Sequence, residues 1–492
     1  MSIHRPFAVP TPPISLVSRF ADDYPMTTAF DPKTPIAELA HALTHGTLTS
    51  RALTETALER IAAEGGNGGH AFISVDADGA LAQADAVDQQ RKAGIAVSPL
   101  AGLPVSIKDL FDVAGQPTRA GSAVLADAAP ATQDALVVSR LREAGAVLIG
   151  RSNMSEFAFS GLGINPHFGS PLSPWRPEER RVSGGSSSGA AVSVAQGMAA
   201  YGLGTDTGGS LRIPAAFCGV TGFKPTAHRI PTQGGIPLSM TLDSFGAIAP
   251  TVQCCAIVDQ ILAGNPQQAA ALSISTAAGR PSVAERAAGV AGRRFAILTN
   301  VVMDGVEPEV ERAFEAALAR LSNLGAELVD MRFDALDRLA SINKFGFSPM
   351  ESWWYHREWT TTRAASYDAR VLARIRSGEA ASASDYLDLL AARRGVIADA
   401  AKAFEGFDAI LMPTAPMLPP QIDDLTADAA FFAANGKALR NPSIINFIDG
   451  CALSIPAPAY DEAPVGLMVA GLHGRDAEIL IVGDEIEAGL NS

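Results

Sequence analysis

Cysteine is scarce in this chain: Cys218, Cys254, Cys255 and Cys451 are the only ones in 492 residues. Their spacing builds no disulfide framework, which excludes a cross-linked secreted scaffold and makes a reducing cytoplasm the expected compartment. The cysteine and histidine spacings imply no bound metal, and no cofactor is expected. A Gly-x-x-x-x-Gly-Lys phosphate loop is missing. Basic charge is short as well. The 38 Lys and Arg stand against 52 Asp and Glu, and a formal charge of −14 argues against a general nucleic-acid binder. No apolar run reaches bilayer length. The alanine-rich stretch over 189–203 contains Gln196 and glycine and is too short, so no membrane partner is expected. The first residues, Met1-Ser-Ile-His-Arg-Pro, lack the apolar core of a secretory signal.

What the chain does have is serine and glycine gathered into two turns. They are Gly184-Gly185-Ser186-Ser187-Ser188-Gly189 and Gly204-Thr205-Asp206-Thr207-Gly208-Gly209-Ser210-Leu211-Arg212. Glycines open backbone conformations that let amide N–H groups converge on one oxygen. A serine ending such a turn can attack a carbonyl while neighbouring N–H groups hold the oxyanion. The missing base has a candidate in Lys108, which closes the apolar run Gly102-Leu-Pro-Val-Ser-Ile-Lys108-Asp109. Between the turns, Ala190–Leu203 reads as one buried helix.

This combination resembles the amidase signature family. The resemblance rests on Gly102–Asp109, on Asn153-Met154-Ser155-Glu156-Phe157, on the two glycine turns, and on Cys218-Gly-Val-Thr-Gly-Phe-Lys-Pro225. It implies a nucleophile at Ser210, a second serine with a cis peptide bond at Ser186, and a base at Lys108. The implied oxyanion hole is the backbone N–H groups of Thr207, Gly208, Gly209 and Ser210. Ser187, Asp206 and Arg212 match positions that tie the two turns together. Met154 and Phe157 fall where relatives line the acyl pocket. Arg119 replaces a small polar residue, and Trp353 and Trp354 lie in an aromatic group that would suit an aryl substrate at the mouth. The implied fold is α/β: one large α/β/α domain on a mixed central sheet, with helices at the N-terminus.

The local patterns agree with that architecture. Ile36, Leu39 and Leu43, then Leu53, Ala57 and Ile61, recur at helical spacing, with Thr49 or Ser50 as a cap for the second helix. Further helices are predicted through 78–93, 134–144, 307–324 and 382–404. Strands are predicted at Leu103–Ile107, Val147–Gly150, Phe245–Ile248, Phe295–Leu298, Glu327–Met331 and Ala409–Met412. Residues 263–292 read as a surface excursion. Residues 1–30 read as an N-terminal extension or an overcalled start, because Met26 precedes a more usual beginning. Residues 31–492 then form the single domain.

The expected reaction is hydrolysis of the C–N bond of a small hydrophobic or aryl amide, with anilides, carbamates (urethanase activity) and esters as related substrates. A free lysine has a pKa of about 10.4, so Lys108 must be buried to act as a base. Two alternatives remain open: the glutaminase component of a tRNA-dependent amidotransferase, and an inactive scaffold of the same fold. Asn441-Pro-Ser-Ile-Ile-Asn446-Phe-Ile-Asp449 departs from the glutamine-binding stretch of those amidotransferases. Gly185-Ser-Ser-Ser-Gly189 also fits the nucleophile elbow of another hydrolase class, with Ser187, Asp449 and His473 as its triad. The expected partner is a small-molecule amide, and a homodimer is allowed.

Overall fold

The computed structural model describes residues 30–63, 65–95, 97–277, 281–457 and 463–492. Eleven strands form one mixed sheet. In chain order they are β1 (Phe72–Val75), β2 (Pro104–Lys108), β3 (Val147–Ser152), β4 (Tyr201–Asp206), β5 (Thr221–Lys224), β6 (Ser244–Ala249), β7 (Arg294–Leu298), β8 (Glu327–Met331), β9 (Ala409–Pro413), β10 (Cys451–Pro456) and β11 (Gly466–Gly471). Across the sheet the order is β1-β3-β2-β4-β6-β5-β10-β11-β9-β7-β8. Strands β3, β2 and β4 run parallel to one another, as do β9, β7 and β8 at the far end, with antiparallel pairs between.

Alternation along the central strands builds a core on each face. On β11, Leu467 and Val469 join a core that includes Ile479 and Ile486 of the helix Asp476–Leu490. Met468 and Ala470 join the opposite core, with Ile444, Ile445 and Phe447 of the helix Asp428–Phe447. Both faces are covered by helices, which is why β10 and β11 read as continuous apolar runs rather than as alternating strands.

The first helix, Ile36–Thr44, buries Ile36, Leu39 and Leu43. The second, Ser50–Ala62, is capped by Thr49, whose side chain accepts the Ala52 N–H. All six expected strands are present, displaced by at most a residue or two at their ends. The helices expected at 78–93, 134–144, 307–324 and 382–404 span Ala77–Lys92, Leu136–Glu143, Pro308–Asn323 and Ala383–Ala403. Strands β1, β4, β5, β10 and β11 were not expected.

The expected helix over Ala190–Leu203 is a correction. The helix covers Ser188–Ala195 and the chain then turns into β4. Gly197, at φ 66°, takes the left-handed turn that ends the helix. The helix lies directly on the strand: a Cβ on Gly202 would stand 2.9 Å from that of Ala190, and one on Gly204 2.7 Å from the Ser187 hydroxyl. The small residues that suggested helix therefore serve a helix–strand contact.

The expected surface excursion also folds back. It carries the helices Pro266–Ala277 and Val283–Ala288, and Ala269 is fully buried. Of the expected N-terminal extension only Phe30 falls within the described residues; it is buried, and its carbonyl accepts Arg60 Nη2. Among the described residues no helix is long and apolar enough to cross a membrane.

Leu467 in β11 is fully buried, whereas Leu387 is 63% exposed on its helix. Leu467→Ala is predicted to lose about 2–5 kcal/mol of stability and Leu387→Ala less than about 0.5 kcal/mol. Their denaturation midpoints in urea check the contrast.

Candidate active site

Lys108 is the last residue of β2 and is fully buried, between the parallel strands β3 and β4. Its Nζ donates to the hydroxyl oxygens of Ser186 at 2.7 Å, Ser187 at 3.0 Å and Thr205 at 2.7 Å. Three acceptors match the three N–H groups of an ammonium. Burial nevertheless pushes the Lys108 pKa down to about 7, against the pull of Asp243 and Asp206 in the other direction. Near neutral pH the amine is therefore substantially unprotonated, and one of the three hydroxyls can then donate into its lone pair.

The first glycine turn brings two of those hydroxyls. The Gly185–Ser186 peptide bond is cis. The turn is clamped from the loop after β3: Ser155 N–H donates to Ser186 O at 3.1 Å, and Gly185 N–H to Gly161 O at 2.9 Å. A Cβ on Gly185 would stand 2.5 Å from the Gly163 nitrogen, so that position has no room for a side chain. Ser187 N–H donates to Ser210 O at 3.3 Å, which joins the two turns.

The second turn is organised around Asp206. Its carboxylate accepts from Gly209 N–H at 2.8 Å, Leu211 N–H at 3.1 Å, Arg212 Nε at 3.0 Å and Arg212 Nη2 at 2.9 Å. Asn446 Nδ2 adds a further bond at 2.9 Å, and the side-chain oxygen of Asn446 accepts from Arg212 Nη2. Both charges are fully buried. Burial alone would raise the Asp206 pKa, but Arg212, Lys224 and Asn446 outweigh it and hold the carboxyl well below its ordinary range. Of the four expected oxyanion donors, Gly209 thus points its N–H at Asp206. Among the described residues, no hydrogen bond engages the N–H groups of Thr207, Gly208 or Ser210.

A second carboxylate stands behind the turn. Asp243 accepts Thr207 Oγ1 at 2.5 Å and the N–H groups of Leu238 and Ser239 at 3.0 and 3.1 Å. Burial, with some repulsion from Glu351, pushes its pKa up to about 7. Asp243 therefore changes charge over the same pH range as Lys108.

A cavity of about 280 Å³ opens onto Ser210, Thr207 and Gly208, with Ala158, Phe159, Ser160 and Arg374 in its walls. None of Met154, Phe157, Arg119, Trp353 and Trp354 lines it, which corrects the expected pocket. At Phe157 the backbone is unusual. Phe157 and Ala158 have φ of 47° and 60°, conformations that disfavour side chains. There the Phe157 ring packs edge-on against His356, with centroids 4.4 Å apart, while Ala158 and the residues after it face the cavity. Met154 is fully buried in the core. Trp353 packs half-buried on the core, and Trp354 is 53% exposed beneath Arg357. Arg119 is half-buried close to Asp109 and Arg151.

The elbow alternative fails on geometry. Ser187 is buried with its hydroxyl held by Lys108 and Thr205, whereas His473 pairs with Asp449 at 2.9 Å with its side chain 62% exposed. One His-x-x-x-His pair, His41 and His45, does occur, with ring centroids 3.9 Å apart on the first helix. Among the described residues no group of three or more His, Cys, Asp or Glu side chains is placed to hold a metal ion. Sequence reasoning missed Thr205, Asp243, Asn446 and Arg374. Thr205 lay within the second turn; the other three come from distant segments.

A buried lysine bonded to a cis-peptide serine, beside a glycine turn with unengaged N–H groups, is the setting in which the likeness to known proteins falls. A family model described as Amidase matches residues 52–480, and the chain belongs to this family of C–N hydrolases. It is 36% identical over 423 residues to a 2-amino-5-chloromuconic acid deaminase from Comamonas testosteroni, covering 85% of this chain and 88% of that one. It is also 36% identical over 477 residues to a glutamyl-tRNA(Gln) amidotransferase subunit from Thermosynechococcus vestitus, covering 91% and 96%. Among solved structures, an amidase crystal structure superposes with a TM-score of 0.81 at 31% identity, covering 93% of this chain and 100% of that one. The native peptide amidase of Stenotrophomonas maltophilia gives 0.77 at 26% identity, covering 95% and 98%.

Asp206→Asn would leave Arg212 buried without a counter-charge. The predicted cost is about 3–5 kcal/mol. Arg332→Ala, at an exposed pair with Asp334, is predicted to cost less than about 1 kcal/mol. Equilibrium unfolding of the two variants separates these values.

Proposed function

We propose that this hydrolase cleaves the amide bond of a small acyl amide through an acyl-enzyme, with Ser210 as nucleophile, Ser186 as proton relay and Lys108 as base. The observation that carries the reading is the Lys108 amine, held 2.7 Å from Ser186 and desolvated to a pKa of about 7. In the neutral state Lys108 accepts the Ser186 proton as Ser186 takes that of Ser210, and Ser210 Oγ bonds to the acyl carbon. The oxyanion that forms is received by N–H groups of the second turn, with Thr207, Gly208 and Ser210 available and Gly209 committed to Asp206. Each such donor contributes about 100- to 1,000-fold in rate. Lys108 then returns its proton through Ser186 to the departing nitrogen, the C–N bond breaks, and water releases the acyl group by the same relay.

The apolar side of the cavity, with Leu238, Leu242, Leu339 and Phe347, supports a hydrocarbon acyl chain, and anilides, carbamates and activated esters are reachable by the same chemistry. The amidotransferase-like relatives favour glutamine as a second reading. The substrates of this chain are read out directly by a panel of aliphatic amides, anilides, aryl carbamates, p-nitrophenyl esters and glutamine.

On that panel, Ser210→Ala is predicted to abolish turnover and Lys108→Ala to reduce it by about 100- to 10,000-fold. Wild-type turnover retained by Ser210→Ala would overturn the nucleophile assignment. No cleavage by the wild-type enzyme would return the inactive-scaffold alternative to the front. Glutamine outrunning every other amide would favour the second reading.

A further inference from the structure

The cavity beside Ser210 contains one cation that the proposed chemistry does not use. Arg374 lies near the end of the helix Ala369–Arg376, which buries Val371 and Ile375 on its inner side. Its guanidinium lies over the Phe159 ring, 4.2 Å from the centroid, and Nη1 donates to Phe159 O at 2.5 Å. That contact uses one of five N–H donors. Among the described residues, the Arg374 guanidinium finds no carboxylate partner and makes no other hydrogen bond.

The other arginines buried near the site are satisfied differently. Arg151 is paired with Asp109, and Arg212 with Asp206. Glu156, in the loop that supports the cavity wall, is already engaged by Ser122, His167 and the Asp368 N–H. Arg374 is enclosed enough for burial to bring its pKa down to about 10, so it remains charged at neutral pH. Its residue still keeps accessible surface, and it lines the cavity. A cation that faces the cavity of Ser210 without a counter-ion is placed to receive an anion that a ligand supplies.

We propose that Arg374 receives a carboxylate of the substrate, so that the enzyme acts on amides whose acyl group ends in a free carboxylate. This rests on the amide-hydrolase reading of the same cavity. Ser210 and the unengaged N–H groups take the amide end. Leu339, Leu242 and Phe347 take the carbon chain between, and Arg374 takes the far end through paired N–H···O bonds. The volume, about 280 Å³, suits a compact molecule of this kind. Monoamides of short dicarboxylic acids are the substrate class.

The test compares kcat/KM for succinamate and glutaramate with that for butyramide and valeramide, in the wild-type enzyme and in Arg374→Met and Arg374→Lys. Hydrogen bonds to charged groups are worth roughly 10- to 100-fold in affinity. The wild-type enzyme is expected to favour the carboxylate-bearing amides by at least that lower margin. Arg374→Met is expected to collapse the ratio, mainly through KM, and Arg374→Lys to restore part of it. Calorimetry with glutarate, set against its dimethyl ester, measures the anion subsite without any turnover. It should show glutarate bound by the wild type and at least about tenfold more weakly by Arg374→Met.

A wild-type ratio near one, or a ratio unchanged in Arg374→Met, overturns the inference and leaves Arg374 as a strut for Phe159. The wild-type ratio and wild-type glutarate binding need no variant, so a poorly folding Arg374→Met does not block the test. Ser210-dependent cleavage without carboxylate preference would defeat this inference alone. Glutarate bound through Arg374 with no amide cleaved would overturn the hydrolase reading and the amide substrate class with it, and leave the anion subsite standing.

Discussion

The removal of water from one amine, that of Lys108, is the constraint around which the site is arranged. An exposed lysine would be an ammonium at neutral pH and could not accept a proton. Here the amine sits at the end of a central strand, covered by the two glycine turns, and its pKa falls to about 7. Two nearby carboxylates oppose the shift, and each is restrained in its own way. Asp206 is committed to Arg212, Asn446 and the backbone of its turn, and Asp243 is itself desolvated to a pKa of about 7. Lys108 and Asp243 therefore titrate as neighbours, and a pH profile reports the pair rather than either residue alone.

The sheet makes that burial possible. Strands β2 and β4 run parallel, so Lys108 and the chain leaving β4 at Asp206 emerge at the same end. The helix Ser188–Ala195 lies against β4 closely enough that Gly202 and Gly204 have no room for side chains. This contact sets Ser187 beside Thr205 and both beside Lys108. The Asp206–Arg212–Asn446 network then fixes the second turn to the helix Asp428–Phe447, which lies more than 200 residues on in the chain. Positioning at the site thus depends on packing of small residues and on one buried ion pair, while the cavity itself holds the unpaired charge of Arg374.

Much of this was legible in the sequence, for physical reasons that differ from element to element. The helix Ile36–Thr44 announced itself because one face alone is apolar. The strands β7, β8 and β9 were visible as short apolar runs between helices. Strand β4 was hidden, because its glycines and the alanines of the preceding helix form one small-residue run whose break falls at a single left-handed glycine. Strands β10 and β11 are buried on both faces and show no alternation. At the site, Lys108 and the two serine turns were legible as motifs, and Thr205 stood within one of them unnoticed. Asn446 reaches Asp206 and Arg212, and Asp243 reaches Thr207, across long stretches of chain, which no local pattern records. Arg374 is one of three arginines on a short amphipathic helix, and its place in the cavity wall sets it apart from Arg370 and Arg376. The aromatic residues misled: Phe157 packs against His356, Trp353 lies on the core and Trp354 on the surface, and none of the three lines the cavity.

The most direct test of a desolvated lysine driving Ser210 is to trap the acyl group it transfers. The enzyme would be mixed briefly with p-nitrophenyl acetate at a series of pH values, quenched, and mapped by peptide mass spectrometry. The account predicts a single acetyl group on Ser210, added at a rate that climbs as pH rises through about 7. Acetyl found on Ser186 or Ser187 instead, or added to Ser210 at a rate flat across that range, would contradict it.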